Sequence, residues 1–349
     1  MTGKEYDWSK VEFAQFLIKF SYIGTRYCGV AYQDEETLTV EREIFRALMK
    51  TKMIKSREEC IFSRCGRTDA GVHAAGNYIC LSLRVKPEIE HLKVINKVLP
   101  SDIRFLAMRR VDEKFSARFD CKGRIYKYFQ PVWQGLDVGL MERASRLLLG
   151  EHDFRNFCKM DVGATTNYKR KIHSIKFTLD EPKSVVEIEI RGNAFLWHQV
   201  RCMVAILLLI GEKAEEESLI TELLDVGKNP RKPLYRMAEP TGLVLHDCMF
   251  DSNAFLDIKE PMAIGETLPH LMAHRRDLAE TLRLSCVLGA MCGLENTAAG
   301  TLERWTEVTR YTQLMKRATS PSLEEKIEAH ETKKRKASTQ SIATSEEVE

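Results

Sequence analysis

Residues Val200 to Ile210 form an apolar run of eleven with a single charge in it, Arg201. That is about half of the roughly 20 residues a membrane-spanning helix needs. The run therefore reads as a core helix, Trp197 to Ile210, which other elements must cover. Arg201 sharpens the constraint. A guanidinium cannot shed its charge, and burying one without a partner is prohibitively costly. A carboxylate from another part of the chain is expected to meet it, either as a structural pair or within a functional site.

The rest of the chain is legible as alternating and helical patterns. Phe16, Ile18 and Phe20 share one face of a half-buried strand, Phe13 to Tyr22. Thr39 can cap a helix with the stripe Val40, Ile44, Ala47 and Leu48, and Glu41 and Glu43 lie near its positive end. A strand through Ile79, Leu81 and Leu83, a helix from Ile89 to Leu99 and a strand from Ile103 to Val111 follow. The outline then repeats. Arg124 to Pro131 is a strand with Arg124, Tyr126 and Tyr128 on one face, and Met141 to Leu149 is helical. Ile172 to Leu179 and Val185 to Arg191 make a hairpin, with Ile175, Phe177 and Leu179 facing in beside Val186, Ile188 and Ile190. A short helix from Leu219 to Val226 and a strand from Leu243 to Phe250 complete the pattern. Two α+β halves are the economical reading.

Between the first helix and the next strand lies Arg64-Cys65-Gly66-Arg67-Thr68-Asp69-Ala70-Gly71-Val72-His73-Ala74-Ala75-Gly76. Its glycines recur every five residues, and Asp69 sits among Arg64, Arg67 and His73. Glycine belongs where the backbone turns through positive φ or approaches something closely. The cations keep Asp69 ionised, either as a structural ion pair or as a reactive carboxylate in a cleft. Tyr126 and Tyr128 are likewise either core residues with one wet end or a surface on which a base stacks.

Composition excludes several classes. With 44% hydrophobic and 30% charged residues and a net charge of +3, the 349-residue chain is globular and carries no strong overall field. Ten cysteines are scattered without a C-x-x-C pair, which fits reduced thiols in an intracellular protein, and no metal site is expected. Gly66-x4-Gly71 opens like a phosphate loop but has Val72 where the lysine belongs, and no G-x-G-x-x-G follows a strand. His270 and His274 lack a third ligand. No cofactor and no membrane contact are expected. Leu271 to Leu294 reads as a helix, and the polar stretch from about Ala318, with Lys333-Lys334-Arg335-Lys336, reads as largely disordered.

Taken together, these segments resemble the TruA family of tRNA pseudouridine synthases over roughly residues 14 to 252. Gly66-Arg67-Thr68-Asp69-Ala70-Gly71-Val72-His73-Ala74 is similar to that family's signature. Gly29, Gln33 and Thr39-Val40-Glu41 match ahead of it, and Asn96-x-x-Leu99-Pro100-x-Asp102-Ile103 and Ser116-Ala117-Arg118-Phe119 after it. Arg124-Ile125-Tyr126-Lys127-Tyr128, Phe195-Leu196-Trp197-His198-Gln199-Val200-Arg201 and Gly242-Leu243-x-Leu245 complete the set. His152 to Asp161 resembles the eukaryotic branch that acts at positions 38 and 39 of the tRNA anticodon stem-loop.

The resemblance implies an isomerase that flips a uridine and rearranges its C1′–N1 bond to C1′–C5. It implies Asp69 as the catalytic aspartate, Tyr126 stacking on the target base and Arg201 as the partner of the aspartate. It implies Arg67 holding the flipped nucleotide and Leu245 walling the pocket. Arg64, His73, Arg124 and His198 are candidate RNA contacts. Whether Asp69 attacks C1′ or removes the 2′ proton stays open, as do another tRNA position and a catalytically silent tRNA-binding module. The implied fold is α+β, with two subdomains whose mainly antiparallel sheets join, flanked by helices, and an active-site cleft between them. The expected divisions are a polar segment 1–12, subdomains 13–115 and 116–255, a helical extension 256–317 and a charged tail 318–349. The expected partner is tRNA. A homodimer, as in bacterial members, and a nuclear or cytoplasmic location accompany that expectation.

Overall fold

The structure, a computed structural model, describes residues 6–85, 90–180, 185–251 and 311–346, with side chains up to residue 337. The helix expected over Leu271 to Leu294 lies outside them. The described chain forms two compact units that it visits in turn. Unit 1 holds residues up to 131, then 177–191 and 239–251; unit 2 holds 132–176, 192–238 and 311–346. The boundary expected at 115/116 therefore falls inside unit 1. Local periodicity marks elements, but long-range strand pairing decides which elements pack together.

Unit 1 is built on strands β1 (Phe13–Tyr22), β2 (Phe62–Arg64), β3 (His73–Arg84), β4 (Ile103–Arg110), β5 (Cys121–Pro131), β8 (Val185–Gly192, its last residue in unit 2) and β9 (Leu243–Phe250). Their order is β4-β1-β3-β9-β5-β8, with β2 pairing β3 off that path. β1 runs antiparallel to β3 and β4, β5 antiparallel to β9, and a short β3–β9 contact is parallel. The mainly antiparallel α+β reading holds. β1 is buried on both faces, with Leu17 3% and its neighbour Ile18 0% exposed, so other parts of the chain pack above and below it. The half-buried pattern expected there is not observed, because face burial depends on what packs on the sheet and not on alternation alone.

Helix α1 (Val40–Lys50) starts as expected, with the Thr39 hydroxyl accepting from the Arg42 amide at 3.2 Å. Val40, Ile44, Ala47 and Leu48 are buried with it. Helix α2 (His91–Asn96) is shorter than its apolar stripe suggested. In unit 1, Val186, Ile188 and Ile190 are fully buried along β8. Their expected hairpin companion Leu179 is 41% exposed, so the inward face is one-sided.

Unit 2 packs helices α3 (Val138–Ser145), α4 (Gln199–Gly211) and α5 (Ser218–Leu224) beside a short antiparallel ladder. In that ladder β6 (Gly150–Asp153) pairs with the start of β7 (Lys169–Leu179), Gly150 opposite Ile172. α4 is the apolar run, and every residue of it but Arg201 is buried. A side chain at Gly211 would strike Met141 of α3 within 2.6 Å, so the helices meet at a glycine.

The tail corrects an expectation. Leu323–Glu346 is a helix, α6, where composition suggested disorder. Ser322 and Glu325 form a reciprocal capping box: the Glu325 amide donates to the serine hydroxyl (3.2 Å) and the Ser322 amide to the carboxylate (2.7 Å). Arg231 and Arg155 of unit 2 pair with Glu325 and Glu324. Upstream, fully buried Leu314 and the Tyr311–Glu215 hydrogen bond (2.6 Å) seat the segment on unit 2. Among the described residues no helix is long and apolar enough to cross a membrane.

Candidate active site

The site in unit 1 is organised by one line of strand partners. Tyr126 of β5 lies opposite Leu245 of β9, Leu245 opposite Ala74 of β3, and Ala74 opposite Tyr22 of β1. Directly paired residues point to the same face, so these four side chains lie side by side. Two register shifts make the alignment possible, one between Phe20 and Tyr22 and one between Ile125 and Tyr126. Bulges of this kind re-aim side chains beside functional sites.

The Asp69 segment lies over that face. β2 pairs with β3 as far as Arg64, and the Cys65 amide extends the ladder to the Tyr78 carbonyl (2.8 Å). At Gly66 the backbone partner is replaced by a side chain. Asn77, fully buried, accepts from the Gly66 amide and donates to the Gly66 carbonyl, both at 3.0 Å. A Cβ on Gly66 would sit 2.5 Å from the Leu245 side chain, so glycine is required by close approach here. The Tyr22 hydroxyl meets the Thr68 hydroxyl at 2.8 Å, and the Thr68 carbonyl accepts from the Val30 amide at 3.2 Å.

Beyond the aspartate, the Val72 amide closes a turn onto the Asp69 carbonyl (3.2 Å), and Gly71 adopts φ +78°. Asp69 is thereby half-exposed at the tip of a turn fixed on both sides, between buried Thr68 and exposed Ala70. The phenol of Tyr126 titrates well above its ordinary range. Burial is the main cause; Arg124 opposes it, while Cys248, Tyr22 and Asp69 reinforce it. Asp69 and Tyr126 thus share one electrostatic environment, with Tyr126 only 7% exposed and Leu245 fully buried against Gly66. Arg67 is exposed beside them.

Three expected RNA contacts are tied up elsewhere. Arg64 binds fully buried Glu41 of α1 in a two-pronged pair, Nη2 to Oε2 at 2.7 Å, and the Tyr32 amide donates to the same carboxylate at 2.8 Å. His73 is fully buried; its Nδ1 accepts from the Gly24 amide at 3.1 Å. Burial pushes the His73 imidazole down to about 4, against a contact with the Thr241 backbone that works the other way. A neutral, enclosed ring has no edge for a phosphate. Arg124 is half-buried, and its Nη2 donates to the Cys65 carbonyl at 3.0 Å. Tyr128 is core, its hydroxyl donating to the Glu239 carbonyl at 3.1 Å. Sequence reasoning passed over Asn77 and Tyr22. The only local signal was a polar residue interrupting the buried stretch of β3.

In unit 2, Arg201 stands on the first turn of α4, and its Nε donates to the Ala238 carbonyl at 2.7 Å. His198 caps that helix in the left-handed region, φ +64° and ψ +7°, an uncommon place for a residue with a side chain. Buried Gln199 holds the turn, its Oε1 accepting from the Leu196 amide at 2.8 Å. Trp197 is 45% exposed, with the Lys159 ammonium 4.1 Å from its ring.

A family model described as tRNA pseudouridine synthase matches residues 144–251. The chain is 40% identical over 282 residues to the human tRNA pseudouridine(38/39) synthase, covering 72% of this chain and 58% of that protein. It is 39% identical over 279 residues to the Saccharomyces cerevisiae protein of the same name, 74% of this chain and 62% of that one. With tRNA pseudouridine synthase A of Methanosarcina acetivorans it shares 33% identity over 238 residues, 68% of this chain and 84% of that protein. The chain belongs to the tRNA pseudouridine synthase family. It spans about three-fifths of the length of its human and yeast relatives.

Proposed function

We propose that this protein converts uridine to pseudouridine in tRNA, acting at positions 38 and 39 of the anticodon stem-loop. The observation that supports this most is the turn carrying Asp69, locked by Asn77 and Thr68 above the line from Tyr126 to Leu245. The names of the human and yeast relatives support the target positions.

The reaction breaks the C1′–N1 bond, turns the base and joins C5 to C1′. It leaves the oxidation state unchanged and consumes no second substrate. A uridine within a stem has to be extruded first, at a cost of a few kcal/mol. Motif resemblance gives the Tyr126 ring, 7% exposed in the free chain, the stacking role and buried Leu245 that of an apolar wall, and exposed Arg67 offers a cation for the displaced backbone. Asp69 acts on the ribose as nucleophile at C1′ or as base at the 2′ position. The assignment of Arg201 as the partner of the catalytic aspartate rests on motif resemblance. The exposed run Lys333 to Lys336 on α6 offers further positive charge for the tRNA backbone.

Asp69→Asn is expected to abolish pseudouridine formation on unmodified tRNA while leaving tRNA affinity within about threefold. Base-resolved pseudouridine mapping on total tRNA with and without the protein reads activity and position together. Undiminished turnover by Asp69→Asn refutes the role of Asp69. Binding without turnover by the unsubstituted chain would mark it as a tRNA-binding module.

A further inference from the structure

Cys65, Cys121 and Cys248 come from three separate segments of unit 1, yet their sulfurs all lie within 4.8 Å of one another. Cys65 ends the segment leading from β2 into the Asp69 turn, Cys121 opens β5, and Cys248 lies on β9. Cys65 and Cys248 are each 5% exposed, and Cys121 is half-buried, so the cluster has one side open to solvent. The sheet explains the meeting. Cys248 pairs with Arg124, and the register shift between Cys121 and Gly123 sets Cys121 off the regular ladder. Arg124 adds a fixed cation at the cluster, held by its 3.0 Å hydrogen bond to the Cys65 carbonyl.

We propose that Cys65, Cys121 and Cys248 form a binding site for a thiophilic divalent cation, Zn²⁺, with water from the open side in the fourth position. Three thiols exchange their protons for three sulfur–zinc bonds, and three protons go to solvent. The resulting three-thiolate zinc centre carries one net negative charge, which Arg124 offsets. Zinc–sulfur bonds of about 2.3 Å in a tetrahedron bring sulfurs to about 3.8 Å apart, so the ligands need to draw in by no more than about 1 Å. Such a shift is within reach of side-chain rotation. Once bound, the ion cross-links β5 and β9 to the residue preceding Gly66, and so ties the entry of the Asp69 turn to the strands carrying Tyr126 and Leu245. Without an ion the three thiols hydrogen-bond one another, and Cys121 also donates to the Gly123 carbonyl (3.2 Å) and Cys248 to the Gly76 carbonyl (3.9 Å). The site is independent of the proposed reaction and needs no RNA to be measured.

The test uses the full chain, produced in zinc-supplemented medium and purified under reducing conditions without a metal-affinity column. Elemental analysis is expected to find about one zinc per chain. Cys121→Ser, at the half-exposed position, is expected to lower this at least tenfold, and Cys28→Ser, outside the cluster, to leave it unchanged. Cobalt substitution is expected to give the thiolate-to-metal charge-transfer absorption in the unsubstituted chain and in Cys28→Ser but not in Cys121→Ser. As a check independent of the variant's yield, added Zn²⁺ should raise the melting temperature of the metal-stripped unsubstituted chain and not that of metal-stripped Cys121→Ser. A folded, reduced chain with no zinc and no cobalt band overturns the proposal. So does zinc retained in full by both Cys121→Ser and Cys248→Ser, or a disulfide joining two of the three cysteines in protein kept from oxidants.

Discussion

At the scale of single residues, the acid most deeply committed to structure is Glu41. It is fully buried, yet two guanidinium contacts from Arg64 and one amide from Tyr32 saturate it. Removing one partner of a buried ion pair strands the other, which typically costs about 3 kcal/mol or more. Glu41→Ala is therefore expected to lower the unfolding free energy by about 3 kcal/mol in urea titrations, with an unchanged slope. A loss under 1 kcal/mol would mean that water takes over the carboxylate's place. His73 makes a second, pH-dependent prediction. Its folded value of about 4 lies below the ordinary 6.5, so the unfolded chain binds the proton more readily. The contribution is complete above about pH 6.5, declines as pH falls from there, and is exhausted near pH 4, about 3 kcal/mol in all. Unfolding measured across that window should show this slope in the unsubstituted chain and lose it in His73→Gln. Both residues were noticed in the sequence, Glu41 as a helix-start acid and His73 as a cation near Asp69. Their burial was invisible, because burial is a property of what packs on top.

At the scale of elements, α6 depends on its first turn. The helix is largely exposed, including Ile327 at 42%, so packing contributes little and the capping box and two arginine pairs fix its start. Ser322→Ala is expected to cost about 1 kcal/mol of local stability. Hydrogen exchange should speed up about fivefold in the first turns of α6 while amides in α4 are unaffected. Equal exchange in Ser322→Ala and the unsubstituted chain would assign the helix start to Glu324 and Glu325 and their arginines alone. Composition read this tail as disordered because its charge dominates over apolar content; S-x-x-E at Ser322 to Glu325 was the signal that outweighed it. The strands show the converse. β9 occupies the limits read from its alternation, Leu243 to Phe250, whereas β2, three residues long, has too little pattern to be seen.

For the whole molecule, a net charge of +3 is too small to account for RNA affinity by a general field. Binding of tRNA would then come from a few placed cations, each releasing counterions from the phosphate it meets. Arg67→Gln is expected to reduce the slope of log affinity against log salt concentration by about one while weakening binding at low salt. An unchanged slope in filter-binding assays across salt would remove Arg67 from the phosphate contacts. Much of this molecule was determined by its sequence: the helix around Arg201, the alternation of strands, the Thr39 cap and the turn bearing Asp69 all follow from local periodicity and residue chemistry. The line joining Tyr126, Leu245, Ala74 and Tyr22, the clamp of Asn77 on Gly66 and the meeting of three cysteines were decided only by tertiary structure. They depend on register between strands far apart in the chain, and a shift of one residue at a bulge would point the side chains beyond it on that strand to the other face.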